Sequence, residues 1–144
     1  MEIRTVKLLD ICDCERAVAG KIYPKGSSLI ALSATKGDID YLTEDREVES
    51  RYAVLTVKDP GAFNSKYVNE IIAYTIQKFC ATYQTGINLQ FDALKYYEVQ
   101  VHDIETQNKL AEAFEVADKL LEKEQEQLAK WEKVKEWNLR KMFV

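Results

Sequence analysis

DIETQNKLAEAFEVADKLLEKEQEQLAKWEKVKEWNLRKMFV, residues 103–144, is a single run without glycine or proline that closes the chain. We expect one continuous helix about 55–60 Å long, at roughly 1.5 Å per residue. Asp103 is a plausible N-cap, and Glu105 is favourably placed in the first turn. A helix of this length is too long to serve one small domain. It is therefore predicted to hold something at a distance or to pair with another helix.

Apolar residues recur along this helix at alternating spacings of four and three. They form a seam that consists of Leu110, Phe114, Ala117, Leu121, Leu128 and Trp131. Glu124 interrupts the seam, and the spacing continues through Lys135 and Asn138 to Met142. One interpretation is a helix folded back on its own domain. The other is coiled-coil pairing with a second copy or with a partner subunit, which the two tryptophans near the end favour.

Residues 1–102 are expected to form a small α+β domain. Apolar runs at 29–32 and 52–57 predict buried strands, and a short strand should follow Gly37. Asn64 or Ser65 should cap a helix that ends near Tyr83 and has an apolar face of Val68, Ile71, Ile72, Thr75 and Phe79. Turns are predicted at 59–61 and 85–89, a solvated connection at 44–49, and a strand at 96–101 that leads into the long helix.

The composition is that of a globular protein outside the membrane. Hydrophobic residues make up 47% of the chain and charged residues 31%, which argues against disorder. No apolar run approaches the roughly 18 residues of a membrane span, and the N-terminus lacks the apolar stretch of a signal peptide. We therefore expect a cytoplasmic protein without a membrane partner.

Catalysis has no support in the sequence. It would require a nucleophile with its base, paired carboxylates or a metal cluster, and the only imidazole, His102, lies at a strand-to-helix junction. Cys12, Cys14 and Cys80 lack CxxC spacing, so we interpret them as reduced thiols, with metal binding as the alternative. The glycines and lysines of residues 20–26 are wrongly spaced for a phosphate-binding loop. A non-enzymatic protein without cofactor is predicted.

Three polar loops, at 21–28, 33–37 and 83–88, offer side chains that contact phosphates and base edges. Each loop by itself is equally consistent with a turn that carries a solvated lysine. The net charge of −4 opposes nucleic-acid binding by the surface as a whole, because phosphates usually meet a basic face. Residues 1–102 hold 12 Lys/Arg against 14 Asp/Glu. Any DNA-contacting surface must therefore be a local patch.

The order and spacing of these segments resemble the target recognition domain of the specificity (S) subunit of type I restriction-modification enzymes. The segments are GKIYPKG at 20–26, LSATKG at 32–37 and YQTGINL at 83–89. The passage from the strand at 99–101 into DIETQ at 103–107 is similar to that family's entry into its conserved helix. WNLRKMF at 137–143 is similar to the usual end of that helix. The resemblance covers nearly the whole chain.

The resemblance implies an α+β fold, with a target-recognition-like domain at 1–102 and one long coiled-coil helix at 103–144 for dimerisation and partner docking. S subunits are non-catalytic DNA readers. Their two recognition domains, each reading half of a bipartite site, are held apart by two antiparallel helices that dock methyltransferase subunits. This chain has one domain and one helix, which implies a half-subunit that pairs with a second copy as a C2 homodimer and reads a symmetric bipartite site on double-stranded DNA.

The site residues implied by the resemblance fall into two groups. The DNA contacts are expected among Lys21, Lys25, Ser33, Thr35, Lys36, Thr85 and Asn88, and the dimer interface is expected to be the seam. The domain is short for the family, and the chain is acidic. An alternative is therefore an interaction protein or decoy that binds restriction-modification subunits through the helix without reading DNA.

Overall fold

The N-terminal part of the chain is built around a four-stranded antiparallel sheet, and a long helix follows it. The structure is a computed structural model that describes residues 2–142. The sheet has the strand order β2-β7-β4-β5, and two ribbons, β1-β8 and β3-β6, accompany it. The elements are β1 (Ile3–Lys7), α1 (Leu8–Ile11), β2 (Cys12–Arg16), β3 (Ile22–Tyr23), β4 (Ser28–Ala31), β5 (Ile39–Tyr41), β6 (Arg46–Glu47), β7 (Tyr52–Val57), α2 (Ser65–Tyr83), a 3₁₀ helix (Phe91–Tyr96), β8 (Glu98–His102) and α3 (Ile104–Met142). The predicted α+β fold class with a long C-terminal helix is confirmed.

The chain divides into two compact units, with the division between Leu110 and Ala111. Helix α3 thus begins within the first unit and continues through the second. The expected end of the helix at Phe143 lies outside the described residues.

Strand β4 is covered on both faces of the sheet. All four of its residues are buried. Leu29 packs with Tyr23 of β3 and with Val48, whereas Asn69 of α2 donates to the Ser28 hydroxyl at 3.5 Å. Because successive residues of a strand face opposite sides, the β3-β6 ribbon covers one face and α2 the other. This explains why β4 is a continuous apolar run rather than an alternating one.

Helix α2 follows its predicted bounds. The Oδ1 atom of Asn64 accepts a hydrogen bond from the Tyr67 backbone N–H at 3.0 Å, which makes Asn64 the N-cap. Val68, Ile72, Ile76 and Phe79 recur at helical spacing on the buried face, and the helix ends at Tyr83. Just before it, Asp59 Oδ1 accepts from the Gly61 N–H at 2.9 Å, which confirms the predicted turn.

The β1-β8 ribbon carries the start of the long helix. Ile3 pairs with His102 at one end of the ribbon. The buried hydroxyl oxygen of Tyr67 accepts from the His102 backbone N–H at 3.0 Å and lies 2.6 Å from its Nδ1. These two contacts join Tyr67 of α2 to the end of β8, where the long helix begins. Asp103 accepts from the Thr106 N–H at 3.2 Å and from its hydroxyl at 2.7 Å, which confirms the predicted N-cap.

Three segments differ from the sequence expectations. Residues 3–16 form β1, α1 and β2, where the pattern predicted no element. The expected solvated connection at 44–49 contains β6, and the strand expected at 96–101 lies at 98–102 behind the 3₁₀ helix. β1 and β6 are short and largely exposed. Their partners are distant in sequence, so no local hydrophobic period marks them.

Candidate nucleic-acid interface

Two of the three predicted loops meet at one end of the domain. We refer to residues 33–37 and 84–88 as the loop cluster. The Thr35 backbone N–H donates to the Ile87 carbonyl at 2.8 Å, and the Gln84 side-chain amide donates to the Thr35 carbonyl at 3.1 Å. Five of the seven predicted DNA-contacting residues are thereby brought together: Ser33, Thr35, Lys36, Thr85 and Asn88.

Within the loop cluster, Thr35 is the residue that holds the loops in place. Its side chain is buried, and its hydroxyl donates to the Ala31 carbonyl at 2.6 Å. By contrast, the side chains of Lys36, Thr85 and Asn88 are exposed. The geometry thus separates a buried positioning residue from three side chains that are accessible to a ligand.

The loop at 33–37 is shaped by two residues with positive φ. Ala34 has a φ of 51° and Gly37 a φ of 77°, a region that costs a non-glycine residue about 1–2 kcal/mol. A Cβ at Gly37 would also lie 3.1 Å from Cγ of Gln77. Gly37 therefore allows the loop to turn tightly beside α2 while Lys36 projects into solvent.

The other two predicted contacts lie elsewhere. Lys21 and Lys25 precede β4 and the loop at 33–37 follows it, so the two groups are separated by a strand about 13 Å long. The ammonium group of Lys21 lies 2.5 Å from Glu15 Oε1 and 5.2 Å from the ring centroid of Tyr23. The seven predicted residues therefore form two patches rather than one.

Arg51 is a basic residue beside the loop cluster that is not among the seven predicted contacts. Its carbonyl accepts from the Leu32 N–H at 2.7 Å. Its guanidinium donates to Glu49 Oε2 at 3.0 Å and lies 4.5 Å from the ring centroid of Tyr52. Arg51 and Lys36 line a cavity of about 250 Å³ together with Asp38 and Asp40, so the cavity lining carries both positive and negative charges. No local motif marks Arg51, because only the antiparallel pairing of β4 with β7 brings it here.

The seam of α3 is largely accessible. Leu121, Leu128 and Trp131 are exposed to 57%, 59% and 63%, Ala117 is exposed, and Leu110 and Phe114 are half-buried. Further exposed apolar side chains that the seam did not include are Val116, Leu120, Val134, Trp137, Leu139 and Met142. An apolar helix surface of this extent is typical of a contact surface with another protein.

Charge is unevenly distributed along the long helix. Residues 103–126 carry eight acidic and three basic side chains, whereas residues 127–142 carry two acidic and five basic ones. One end is therefore negative and the other positive. Such a helix is electrostatically complementary to a copy of itself that runs in the opposite direction.

The thiols and carboxylates offer little chemistry. Burial raises the pKa of Cys12 to about 12 and that of Cys14 to about 11, so both thiols stay protonated at neutral pH. Over residues 2–142, no three His, Cys, Asp or Glu side chains are grouped so as to hold a metal ion. In the same range no helix is both long and apolar enough to cross a membrane.

The fold is the one found in S subunits of type I restriction-modification systems. An S subunit from M. genitalium superimposes with a TM-score of 0.73 at 12% identity, over 84% of this chain and 40% of that chain. A structure that describes complex assembly and conformational transition of a type I system gives 0.66 at 12% identity, over 82% and 38% of the two chains. The HsdS subunit from Thermoanaerobacter tengcongensis gives 0.61 at 12%, over 82% and 37%.

The chain spans about two fifths of the length of these proteins. No protein-family profile matches the sequence, and no curated protein sequence is significantly similar to it. The structural likeness therefore establishes the fold.

Proposed function

We propose that this protein is a non-catalytic half-specificity subunit of a type I restriction-modification system. The observation that carries the proposal is the shared fold, in which one α+β domain and one long helix match about two fifths of an S subunit. Two copies would supply two domains and two helices. A type I restriction-modification system also contains methyltransferase subunits, which would dock on the paired helices.

The distribution of apolar and charged residues on α3 supports an antiparallel homodimer. Pairing buries the exposed seam side chains such as Leu121 and Leu128. The antiparallel direction sets the acidic part of each helix beside the basic part of the other, whereas the parallel direction would pair like charges. A C2 dimer of this kind carries its domains at opposite ends of the helix pair and is suited to a symmetric bipartite site on double-stranded DNA.

We assign the reading surface to the loop cluster. Lys36 supplies positive charge, and neighbouring Arg51 contributes less because its guanidinium is paired with Glu49. Ser33, Thr85 and Asn88 supply hydrogen-bonding groups for phosphates and base edges. Thr35 acts by positioning the loops. Lys21 and Lys25 form a second, separate phosphate-contacting patch on the same domain. Because the chain has a net charge of −4, tight binding requires additional positive surface from the methyltransferase subunits.

The dimer is tested by Leu121→Glu, with Ala129→Glu as the matched control. Ala129 is exposed on the same helix outside the seam spacing. Burying a leucine contributes about 1.5–3 kcal/mol, and a C2 dimer contains two copies, so Leu121→Glu should raise the dimer Kd about a hundredfold or more. Analytical ultracentrifugation at tens of micromolar should show a dimer for the wild type and for Ala129→Glu. A monomeric wild type would refute the symmetric model.

DNA reading is tested on the chain co-purified with a type I methyltransferase subunit. Selection from a random duplex library should enrich a two-fold symmetric bipartite sequence. Lys36→Ala should weaken binding and reduce the salt slope of log K by about 2, because each dimer loses two phosphate contacts. Lys123→Ala, on the exposed long helix, should leave both quantities unchanged. If the two variants have equal DNA affinities and equal salt slopes, Lys36 does not contact the DNA.

A second candidate function is an interaction protein that binds restriction-modification subunits through α3 without reading DNA. The acidic net charge and the engagement of Lys21 with Glu15 favour it. A stable complex with the methyltransferase subunit and no enriched sequence in the same selection would support this function over the first.

A further inference from the structure

A groove of about 620 Å³ lies between α2 and β8; we refer to it as the edge groove. Its lining shares no residue with the loop cluster or with the seam of α3. Strand β8 contributes the consecutive residues Glu98, Val99 and Gln100, whereas β1 contributes only Ile3. Because successive side chains of a strand point to opposite faces, a groove that touches consecutive residues follows an edge of the strand. That edge is the one that β1 does not cover.

The pairing of β8 with β1 determines which backbone groups this edge offers. The Leu8 N–H donates to the Tyr97 carbonyl at 2.8 Å, and the antiparallel register continues from this bond to His102. A residue of an antiparallel strand directs its N–H and its C=O to the same side, and the side alternates along the strand. Glu98, Gln100 and His102 therefore direct these groups away from β1 and towards the edge groove.

His102 agrees with this assignment, because its backbone N–H donates to the hydroxyl of Tyr67 in α2 at 3.0 Å. Among residues 2–142, the backbone groups of Glu98 and Gln100 form no hydrogen bond on this edge. They leave two donors and two acceptors unpaired. An unpaired strand edge of this kind is a template for pairing with another chain.

Aromatic side chains line the edge groove beside the unpaired edge. Tyr74 of α2 is exposed to 87%, and Tyr96, which precedes β8, is exposed to 55%. The ring of Tyr96 lies nearly parallel to that of Tyr83 in α2, with 5.7 Å between the centroids. Exposed tyrosines bury a large apolar area at protein contacts while they keep a polar tip. The groove thus combines free backbone hydrogen-bonding groups with an aromatic wall.

Charge does not dominate the edge groove. Its lining includes one lysine, Lys78, one carboxylate, Glu98, and the imidazole of His102. Lys95 flanks the groove, with its ammonium group 5.1 Å from the ring centroid of Tyr96. A nucleic acid would require a basic face without carboxylates, whereas the neutral backbone of a peptide matches this lining. A polypeptide is therefore the favoured occupant.

We propose that the edge groove binds an extended segment of another protein, which adds to the β1-β8 ribbon as a third strand beside β8. This is recognition by strand addition, in which main-chain hydrogen bonds hold the segment. Val99 and Val101 are buried, whereas Glu98 and Gln100 are exposed. The added strand continues this alternation. Every second side chain of the segment faces the aromatic wall and should be apolar, and the side chains between them face solvent and should be polar.

The probe for this site is a phage-displayed library of random peptides, selected on the immobilised full chain. Enriched peptides should alternate apolar and polar residues, and their affinity should depend little on salt, unlike that of a nucleic acid. Single N-methyl groups are then placed along the best synthetic peptide. Affinity should fall about tenfold or more at every second amide and little at the amides between them. Failure to enrich a peptide, or losses without this period of two, would overturn the proposal.

Two proline variants test the strand edge itself. Gln100→Pro removes an N–H from the edge groove without removing a bond to β1. Thr5 lies opposite Gln100 in the register, so Thr5→Pro removes the equivalent N–H from the other edge of the ribbon and is the matched control. Prolines are tolerated at such edge positions, and circular dichroism checks that both variants fold. Gln100→Pro should weaken binding of the selected peptide about tenfold or more, and Thr5→Pro should leave it unchanged; equal affinities would refute strand addition at β8.

Amide hydrogen exchange of the wild type, followed by NMR, gives a readout that requires no variant. The Gln100 amide should exchange rapidly in the free protein and about tenfold or more slowly with the selected peptide bound. The Val99 amide, which faces β1, should be protected in both states. A Gln100 amide that exchanges equally fast with and without bound peptide would contradict the proposal. None of these outcomes depends on DNA reading or on the pairing of α3, so the inference stands or falls separately from the proposed function.

Discussion

Replacing Gln107 by alanine should destabilise the domain strongly, although no local pattern marks this residue as important. Its side-chain oxygen accepts from the Asn64 N–H, which joins the start of α3 to the segment before α2, and its side-chain nitrogen donates to the His102 carbonyl at the end of β8. Removal leaves a backbone N–H and a carbonyl without these partners, at about 1 kcal/mol or more each, and removes buried side-chain volume. We expect a loss of about 3 kcal/mol in the free energy of unfolding.

Thermal and urea unfolding followed by circular dichroism measure this effect. The Leu121→Glu background removes the contribution of helix pairing. For a domain of this size, about 3 kcal/mol corresponds to a Tm lower by roughly 10–20 °C. Gln125→Ala, an exposed glutamine on the same helix, should stay within about 0.5 kcal/mol of the parent. If Gln107→Ala is no less stable than Gln125→Ala, the proposed role of the amide as the clamp between helix and domain is wrong.

Three further predictions concern single groups. Asp103→Ala should lower the free energy of unfolding at pH 7, and its difference from wild type should narrow below about pH 4. The reason is that the hydrogen bonds from Thr106 hold the pKa of Asp103 below its usual value, so the stabilisation is lost as the pH falls through that lowered pKa. Urea titrations at several pH values measure this difference. Cys12, which is buried, and Cys14, which is half-buried, have raised pKa values of about 12 and 11. Both should react with iodoacetamide at pH 8 more slowly in the folded than in the unfolded protein; equal rates for both thiols would contradict these raised pKa values. Ala34→Gly should stabilise the protein by up to about 1 kcal/mol in urea unfolding, because it relieves the left-handed backbone at φ 51°; a loss would show that this residue is unstrained.

The elements that the sequence predicted well are those whose signals are local. Helix α2 was bounded by Asn64 and Tyr83 because a cap and a run of helical spacing lie within one segment. The buried strands β4 and β7 appeared as short apolar runs. The N-terminal strands could not be found in this way. β1 is mostly exposed and is held by its pairing with β8, almost a hundred residues later in the chain.

The residue types of the candidate site are visible in the sequence, whereas their grouping depends on the fold. The residue types of the loops at 33–37 and 84–88 predict ligand contacts, and the structure brings the two loops together through Thr35. The same reasoning grouped Lys21 and Lys25 with them, although β4 separates the two patches. Arg51 was missed because its position depends on strand pairing rather than on its own neighbours.

By itself the sequence determined the long helix, from its Asp103 cap through the apolar seam that it displays. Helix formation depends on hydrogen bonds and side-chain spacings within one segment, so the sequence of that segment is sufficient to predict the helix. Only the tertiary structure decided that Gln107 is buried in the domain and that the loops at 33–37 and 84–88 meet. Those features depend on contacts between residues far apart in the chain, whose geometry is set by strand register and packing.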